Sequence, residues 1–155
     1  MVLRRVLSNV KAIKETMENG HIVLDDNWRI IKEYMHKLSP DGQPAIGDSF
    51  LKWVLTSWSN PDRCTCVPIT PLADDPYNFN EFPVHPELAN FDPSDRKFVA
   101  VSASHGQRHG ECPPILHAVD SKWWGWKDAL GDCGIHVEFL CPEETEKKYH
   151  EKMSL

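Results

Sequence analysis

The stretch that decides the fold covers residues 91–124 and reads FDPSDRKFVAVSASHGQRHGECPPILHAVDSKWW. Asp95 lies in the first turn of a segment whose apolar residues suit a buried helical face. After two prolines, the short apolar run at 115–119 predicts a strand of a parallel sheet covered by helices. Asp120 follows this run directly. Because ligands of open α/β sheets bind beyond the carboxyl ends of the strands, we expect Asp95 and Asp120 to lie near one site.

The composition is that of a soluble globular protein, with 41% hydrophobic and 26% charged residues in a chain of 155. The net charge of −6 argues against a broad surface for nucleic acid, because such surfaces neutralise phosphates with Lys and Arg. No apolar run approaches the roughly 20 residues that span a bilayer, and the N-terminal segment lacks the apolar core of a signal peptide. Five irregularly spaced cysteines do not predict a disulfide framework. We therefore expect a cytoplasmic protein without a membrane partner.

Helices alternate with short apolar strands along the rest of the chain. The predicted elements are a helix over 3–17 that ends at Asn19-Gly20, a strand at 21–24, a helix from Asp25-Asp26 to about 38, a helix at 46–58, a strand at 64–69, a helix at 121–130 and a strand at 135–140. Residues 70–86 read as an ordered surface loop, and 143–155 as a charged tail of frayed helix or coil. This alternation predicts one α/β domain over residues 1–142, a three-layer sandwich with a mostly parallel sheet.

Three acidic residues lie where an α/β site needs them. Glu33 is on the helix after the first predicted strand, Asp95 opens the central helix, and Asp120 closes the strand after it. Carboxylates that converge without a fixed local spacing suit a hard cation such as Mg²⁺ or Mn²⁺, which can activate water and stabilise charge on a phosphoryl group. Each acid can equally be a solvated surface charge or a helix cap, since Asp commonly opens helices.

Four segments in order resemble the PIN-like domain superfamily. They are IVLDDNWRIIKEY (22–34), DPSDRKFVAVS (92–102), PPILHAVDSKWW (113–124) and GIHVEFLCP (134–142). The members are largely metal-dependent nucleases, many of them toxin ribonucleases of bacterial toxin–antitoxin pairs. The resemblance implies that Glu33, Asp95 and Asp120 coordinate Mg²⁺ or Mn²⁺ and orient a water for attack on an RNA phosphodiester. It also implies RNA as the substrate, and an antitoxin or another protein as a partner.

The sequence departs from the family pattern in two places. PIN-like domains begin with a strand that ends in Asp, as in "LDTNV", whereas Met1 here reads as already inside the first helix. We therefore expect the first central strand and the first metal-binding Asp to be absent. Lys122 stands where many relatives carry a further acid. Asp25 and Asp26 could substitute, but their place at a helix start favours capping.

These departures leave two hypotheses for function. The first is a divalent-metal-dependent endoribonuclease. The second is a catalytically impaired PIN-like remnant that acts only by binding protein or RNA. A missing central strand favours the second, because the sheet would have a gap or an exposed edge, which a homodimer could cover.

Other motifs are weaker. The segment 105–112, HGQRHGEC, could form a mixed Cys and His zinc site with Cys64-Thr-Cys66, Cys133 or Cys141, but no CxxC pair is present. A polar loop near the site explains it better, and no cysteine lies on a strand-to-helix elbow that would make it a nucleophile. We expect His117 to be a hydrogen-bonded core residue. Trp123 and Trp124 are core candidates that could instead stack on an unpaired base.

Overall fold

A computed structural model describes residues 1–4, 10–37, 46–117 and 120–155. The strands are β1 (Val2–Arg4), β2 (Ile22–Asp25), β3 (Cys64–Val67), β4 (Ile115–His117) and β5 (Val137–Phe139). The helices are α1 (Val10–Asn19), α2 (Arg29–Lys37), α3 (Ile46–Ser57), α4 (Arg96–His109), α5 (Ser121–Asp132) and α6 (Pro142–Met153). All pairings between these strands are parallel, which confirms an α/β fold built on parallel strands.

The N-terminal strand that we expected to be absent is present. Val2–Arg4 forms β1, which runs parallel to β4 with Val2 opposite Ile115. The prediction that a helix begins at Leu3 is therefore wrong. Val2 and Leu3 are both buried, as in a strand covered on two faces, and a segment this short shows no period that separates strand from helix. The predicted helix appears as α1 from Val10, and residues 5–9 lie outside the described part of the chain.

Strand β1 joins two small sheets, one of order β1-β4-β5 and one of β2-β3. The Met1 ammonium donates to the His21 carbonyl at 2.8 Å, and the Val23 amide donates to the Met1 carbonyl at 2.9 Å. The strands therefore follow the order β3-β2-β1-β4-β5. The chain runs outward from β1 to β3 and returns at β4, so a switch point lies between the carboxyl ends of β1 and β4. Such points are the usual ligand sites of open α/β sheets.

Tyr34 of α2 donates a side-chain hydrogen bond to the backbone of β1. Its hydroxyl donates to the Leu3 carbonyl at 2.7 Å, and both residues are buried. Burial raises the pKa of Tyr34 above its ordinary value of 10.0, so the hydroxyl stays protonated and remains a donor. The ring packs edge-on against Phe50 of α3, with ring centroids 5.6 Å apart. The Tyr34 side chain thus links α2 and α3 to β1.

Helix α4 is the central helix of the core, since it contacts β1, β2, β3 and β4. Its residues from Phe98 to Ser102 are all buried. The buried hydroxyl of Ser102 donates to the Pro113 carbonyl at 2.7 Å, so it carries no unsatisfied polar group into the core. The helix ends at Gly110, whose φ of 81° is the left-handed conformation of a helix C-terminus.

The C-terminal segment is a regular helix rather than the frayed helix or coil that we predicted. Helix α6 packs against α5, with Thr145 buried and the Tyr149 ring lying over Gly125. A Cβ at Gly125 would come within 2.8 Å of that ring, so glycine permits the close approach. In the described part of the chain, none of the helices has the length and apolarity that crossing a bilayer requires.

Replacing Tyr34 with Phe should lower the free energy of unfolding by about 1–3 kcal/mol, because the buried Leu3 carbonyl loses its donor. Urea unfolding measures the loss, and Tyr77→Phe, at an exposed ring, is the control with a change below about 0.5 kcal/mol.

The parent protein and the Tyr34→Phe variant also test whether the pKa of Tyr34 is raised. A raised folded-state pKa means that stability is present below the unfolded pKa and is lost as pH rises above about 10. The parent protein should therefore lose stability above this pH more steeply than Tyr34→Phe. Parallel stability curves for the two proteins would contradict this assignment.

Candidate functional site

Asp95 and Asp120 lie at the starts of α4 and α5 and share the neighbour Trp123. The buried indole N–H of Trp123 donates to Asp95 Oδ2 at 3.3 Å, and its backbone N–H donates to the Asp120 carbonyl at 3.2 Å. His117, at the end of β4, packs its ring on Trp123 and has Nε2 3.2 Å from the Asp120 carbonyl. The structure therefore brings the Asp95 carboxylate and the Asp120 backbone to Trp123, beyond the end of β4. Asp95 is only 4% exposed.

Glu33 lies on α2 and is engaged by lysines. Its Oε1 is 2.8 Å from Lys97 Nζ of α4, and its Oε2 is 3.6 Å from Lys37 Nζ. The side chains of Glu33 and Lys97 are 20% and 15% exposed, so water screens this pair less than it screens a surface pair. Lys97 also donates to the Ser94 carbonyl at 2.5 Å, which fixes its ammonium between the two helices.

The three predicted metal ligands are each committed to another contact. Glu33 pairs with Lys97, Asp95 accepts the indole N–H, and Asp120 accepts the Lys122 amide at 3.1 Å as the cap of α5. Over residues 1–4, 10–37, 46–117 and 120–155, no three His, Cys, Asp or Glu side chains are grouped so that they could hold a metal ion. A Mg²⁺ or Mn²⁺ ion at these acids would have to displace or share these protein partners.

Asp25 has the capping role that the sequence favoured. It ends β2, is fully buried, and its carboxylate accepts the backbone N–H groups of Asn27, Arg29 and Ile30 at 3.2, 2.9 and 2.9 Å. Between these donors, Trp28 adopts a left-handed backbone with φ of 61°, a conformation that a bulky residue reaches only when its surroundings hold it. The capped turn therefore fixes the backbone at Arg29, and with it the direction of the Arg29 side chain.

A basic pocket that the sequence did not indicate lies beside Glu33. Its walls are Arg29, Lys32, Pro76, Tyr77, Phe79, Pro93, Ser94 and Lys97, around a cavity of about 290 Å³. Three cations and two aromatic rings face this cavity, and its walls include no carboxylate among the described residues. Arg29 and Lys32 are one turn apart on α2, which is visible in the sequence. Their approach to Tyr77 and Lys97 depends on the tertiary fold.

The remaining motifs lie elsewhere. His105 and His109 are in the last turns of α4, about 15 and 21 Å along this helix from Asp95, so the prediction that their segment is a loop near the site is wrong. His105 Nδ1 is 2.6 Å from the Glu111 carbonyl. Cys64 is hydrogen-bonded to Cys66 within β3; this bond and burial raise the pKa of the Cys64 thiol. His117 and Trp123 are fully buried, as predicted, whereas Trp124 is half-buried.

Comparisons with protein-family models, with curated proteins and with solved structures found no match to this chain.

Asp25→Ala should lower the free energy of unfolding by about 1–2 kcal/mol or more, because a buried helix cap that accepts three amides is lost. Asp26→Ala is the matched control, since Asp26 is exposed and its backbone bond to Val67 is kept. Chemical unfolding followed by far-ultraviolet circular dichroism compares the two. Equal losses would show that Asp25 is not the principal cap.

Proposed function

We propose that this protein is a PIN-like module that binds RNA and in which metal-dependent cleavage is lost. The contact that carries the proposal is the 2.8 Å ion pair between Glu33 and Lys97. Glu33 is the helix acid that the resemblance assigns to the metal. A divalent cation there would have to displace one ammonium group and approach a second, on Lys37, and both repel it.

The first strand supports the same proposal. The resemblance leads us to expect an Asp where this strand ends, but Val2–Arg4 contains no acid and its last residue is basic. This strand therefore supplies no carboxylate of the kind that the metal-dependent form needs. The order β3-β2-β1-β4-β5, with α4 across four strands, supports the finer proposal of a PIN-like three-layer sandwich.

The cations beside Glu33 support RNA as the partner. Arg29, Lys32 and Lys97 face one cavity, and phosphate groups are bound by Lys and Arg clustered in this way. Lys32 is exposed and makes no ion pair with another described residue, so its charge is available to a phosphate. Because the whole chain carries a net charge of −6, we expect moderate affinity that depends on this local cluster.

Some features stay predictions. These are the antitoxin or other protein partner that the resemblance implies, and the homodimer and the cytoplasmic location that we expected on other grounds. The competing hypothesis is a metal-dependent ribonuclease. In it, Glu33, Asp95 and Asp120 bind Mg²⁺ or Mn²⁺.

A short labelled single-stranded RNA should bind this protein without being cut when Mg²⁺ or Mn²⁺ is added. Fluorescence anisotropy measures binding, and a denaturing gel of the same mixture measures cleavage. Binding should weaken as salt rises, with a slope of log K against log salt of about −0.7 for each phosphate contact. Lys147→Gln, at an exposed position of α6, is the control that should leave affinity unchanged.

Two outcomes would overturn the proposal. The first is RNA cleavage that requires the metal and is lost in Glu33→Gln, which would restore the nuclease reading. The second is the absence of RNA binding even at low salt. Thermal melting with Mn²⁺ adds an independent check, because a cation that binds the folded state raises the melting temperature.

A further inference from the structure

Arg29, which lines the basic pocket, has one buried donor atom without a hydrogen-bond acceptor. Arg29 Nη1 is shielded from water and makes no hydrogen bond within the described part of the chain. Its nearest acid is Asp25, whose Oδ2 is 3.7 Å away, too far for a hydrogen bond. The Asp25 carboxylate already accepts three backbone amides. The Arg29 side chain as a whole is 30% exposed and lines the cavity, so its positive charge acts on a group that enters from outside.

The described residues that line the pocket include three cations and no acid. Arg29 is offset by Asp25, and Lys97 is offset by Glu33, but Lys32 has no such partner among the described residues. An incoming group that carries negative charge and several acceptor oxygens would be attracted by the cations that line the cavity. A phosphate has these properties, and Arg binds it through paired N–H groups.

An exposed aromatic ring lies on the other side of the same cavity. Tyr77 is 65% exposed, although it belongs to a loop whose Phe79 and Phe82 are buried. Phe79 lies under Arg29, with the guanidinium carbon 5.5 Å from the ring centroid, which fixes this cation over the pocket floor. The loop around Tyr77 is held by its own hydrogen bonds, including Tyr77 N–H to Asp75 Oδ1 at 3.0 Å. The ring is therefore presented on an ordered segment.

We infer that this pocket holds one unpaired nucleotide of RNA, with the phosphate at Arg29 and Lys32 and the base stacked on Tyr77. The inference rests on the proposed function and names the subsite that performs it. A cavity of about 290 Å³ is at the small end of ligand pockets, which suits one nucleotide rather than a longer segment. A base in a duplex is already stacked on both faces, so the pocket selects single strands.

Three variants test the subsite by anisotropy with the same labelled RNA. Tyr77→Ala should weaken binding at least about fivefold, because a base loses its stacking partner, and Tyr77→Trp should restore it. Lys32→Gln should weaken binding and make the salt slope less steep by about 0.7, because one phosphate contact is lost. Lys147→Gln is the charge-matched control outside the pocket and should bind as the parent does.

The fold should survive these changes, since Tyr77 and Lys32 are exposed and the Tyr77 amide keeps its bond to Asp75. Melting curves check this. In NMR titrations, uridine monophosphate should shift amides around the pocket, and duplex RNA should compete more weakly than a single strand.

The outcomes separate the two proposals. If the parent protein binds no RNA, the proposed function fails. If the parent binds RNA but Tyr77→Ala and Lys32→Gln bind equally well, only the nucleotide subsite is overturned. Equal affinity for duplex and single strand, or binding of a phosphorylated peptide in the pocket without RNA binding, would also overturn it.

Discussion

The position of β1 between β2 and β4 is the constraint on which the rest of the structure depends. This strand has only three residues, and it is held by its ladder with β4, by the Met1 contacts to β2 and by the Tyr34 hydroxyl at Leu3. Each bond satisfies a backbone group that would otherwise be buried without a partner. With β1 in place, the carboxyl ends of β2 and β4 lie on either side of it. The turns that carry Asp25 and Asp120 therefore open at the same edge of the fold.

The charges at that edge determine which chemistry is available. A metal-dependent nuclease needs carboxylates whose negative charge remains for the cation, whereas a phosphate site needs uncompensated positive charge. Here Glu33 is neutralised by Lys97, and Asp95 and Asp120 are held around Trp123. Lys32 is exposed and lines the same cavity as Arg29 and Lys97. The proposal of a phosphate-binding protein rests on these cations and on the pairing of Glu33 with Lys97.

Local patterns predicted most of the elements because their causes are local. The Asp25 cap, the end of α1 at Asn19, and the buried face of α4 each depend on residues within a few positions of one another. The wrong predictions concern a segment too short to show a period and a segment whose structure depends on packing. Three residues cannot show whether Val2–Arg4 is helix or strand until β4 pairs with it. The charged sequence of α6 becomes an ordered helix because Tyr149 packs on Gly125 of α5.

The candidate site divides in the same way. From the sequence alone came the parallel α/β class, the three acids Glu33, Asp95 and Asp120, and the helix and strand that carry each of them. Only the tertiary structure decided what those acids touch. The pairing of Glu33 with Lys97, and the meeting of Arg29 with Tyr77 at one cavity, join side chains far apart in the chain. Sequence periodicity reports which face of an element is buried, but ion pairs and cavities form between elements, so packing alone determines their partners.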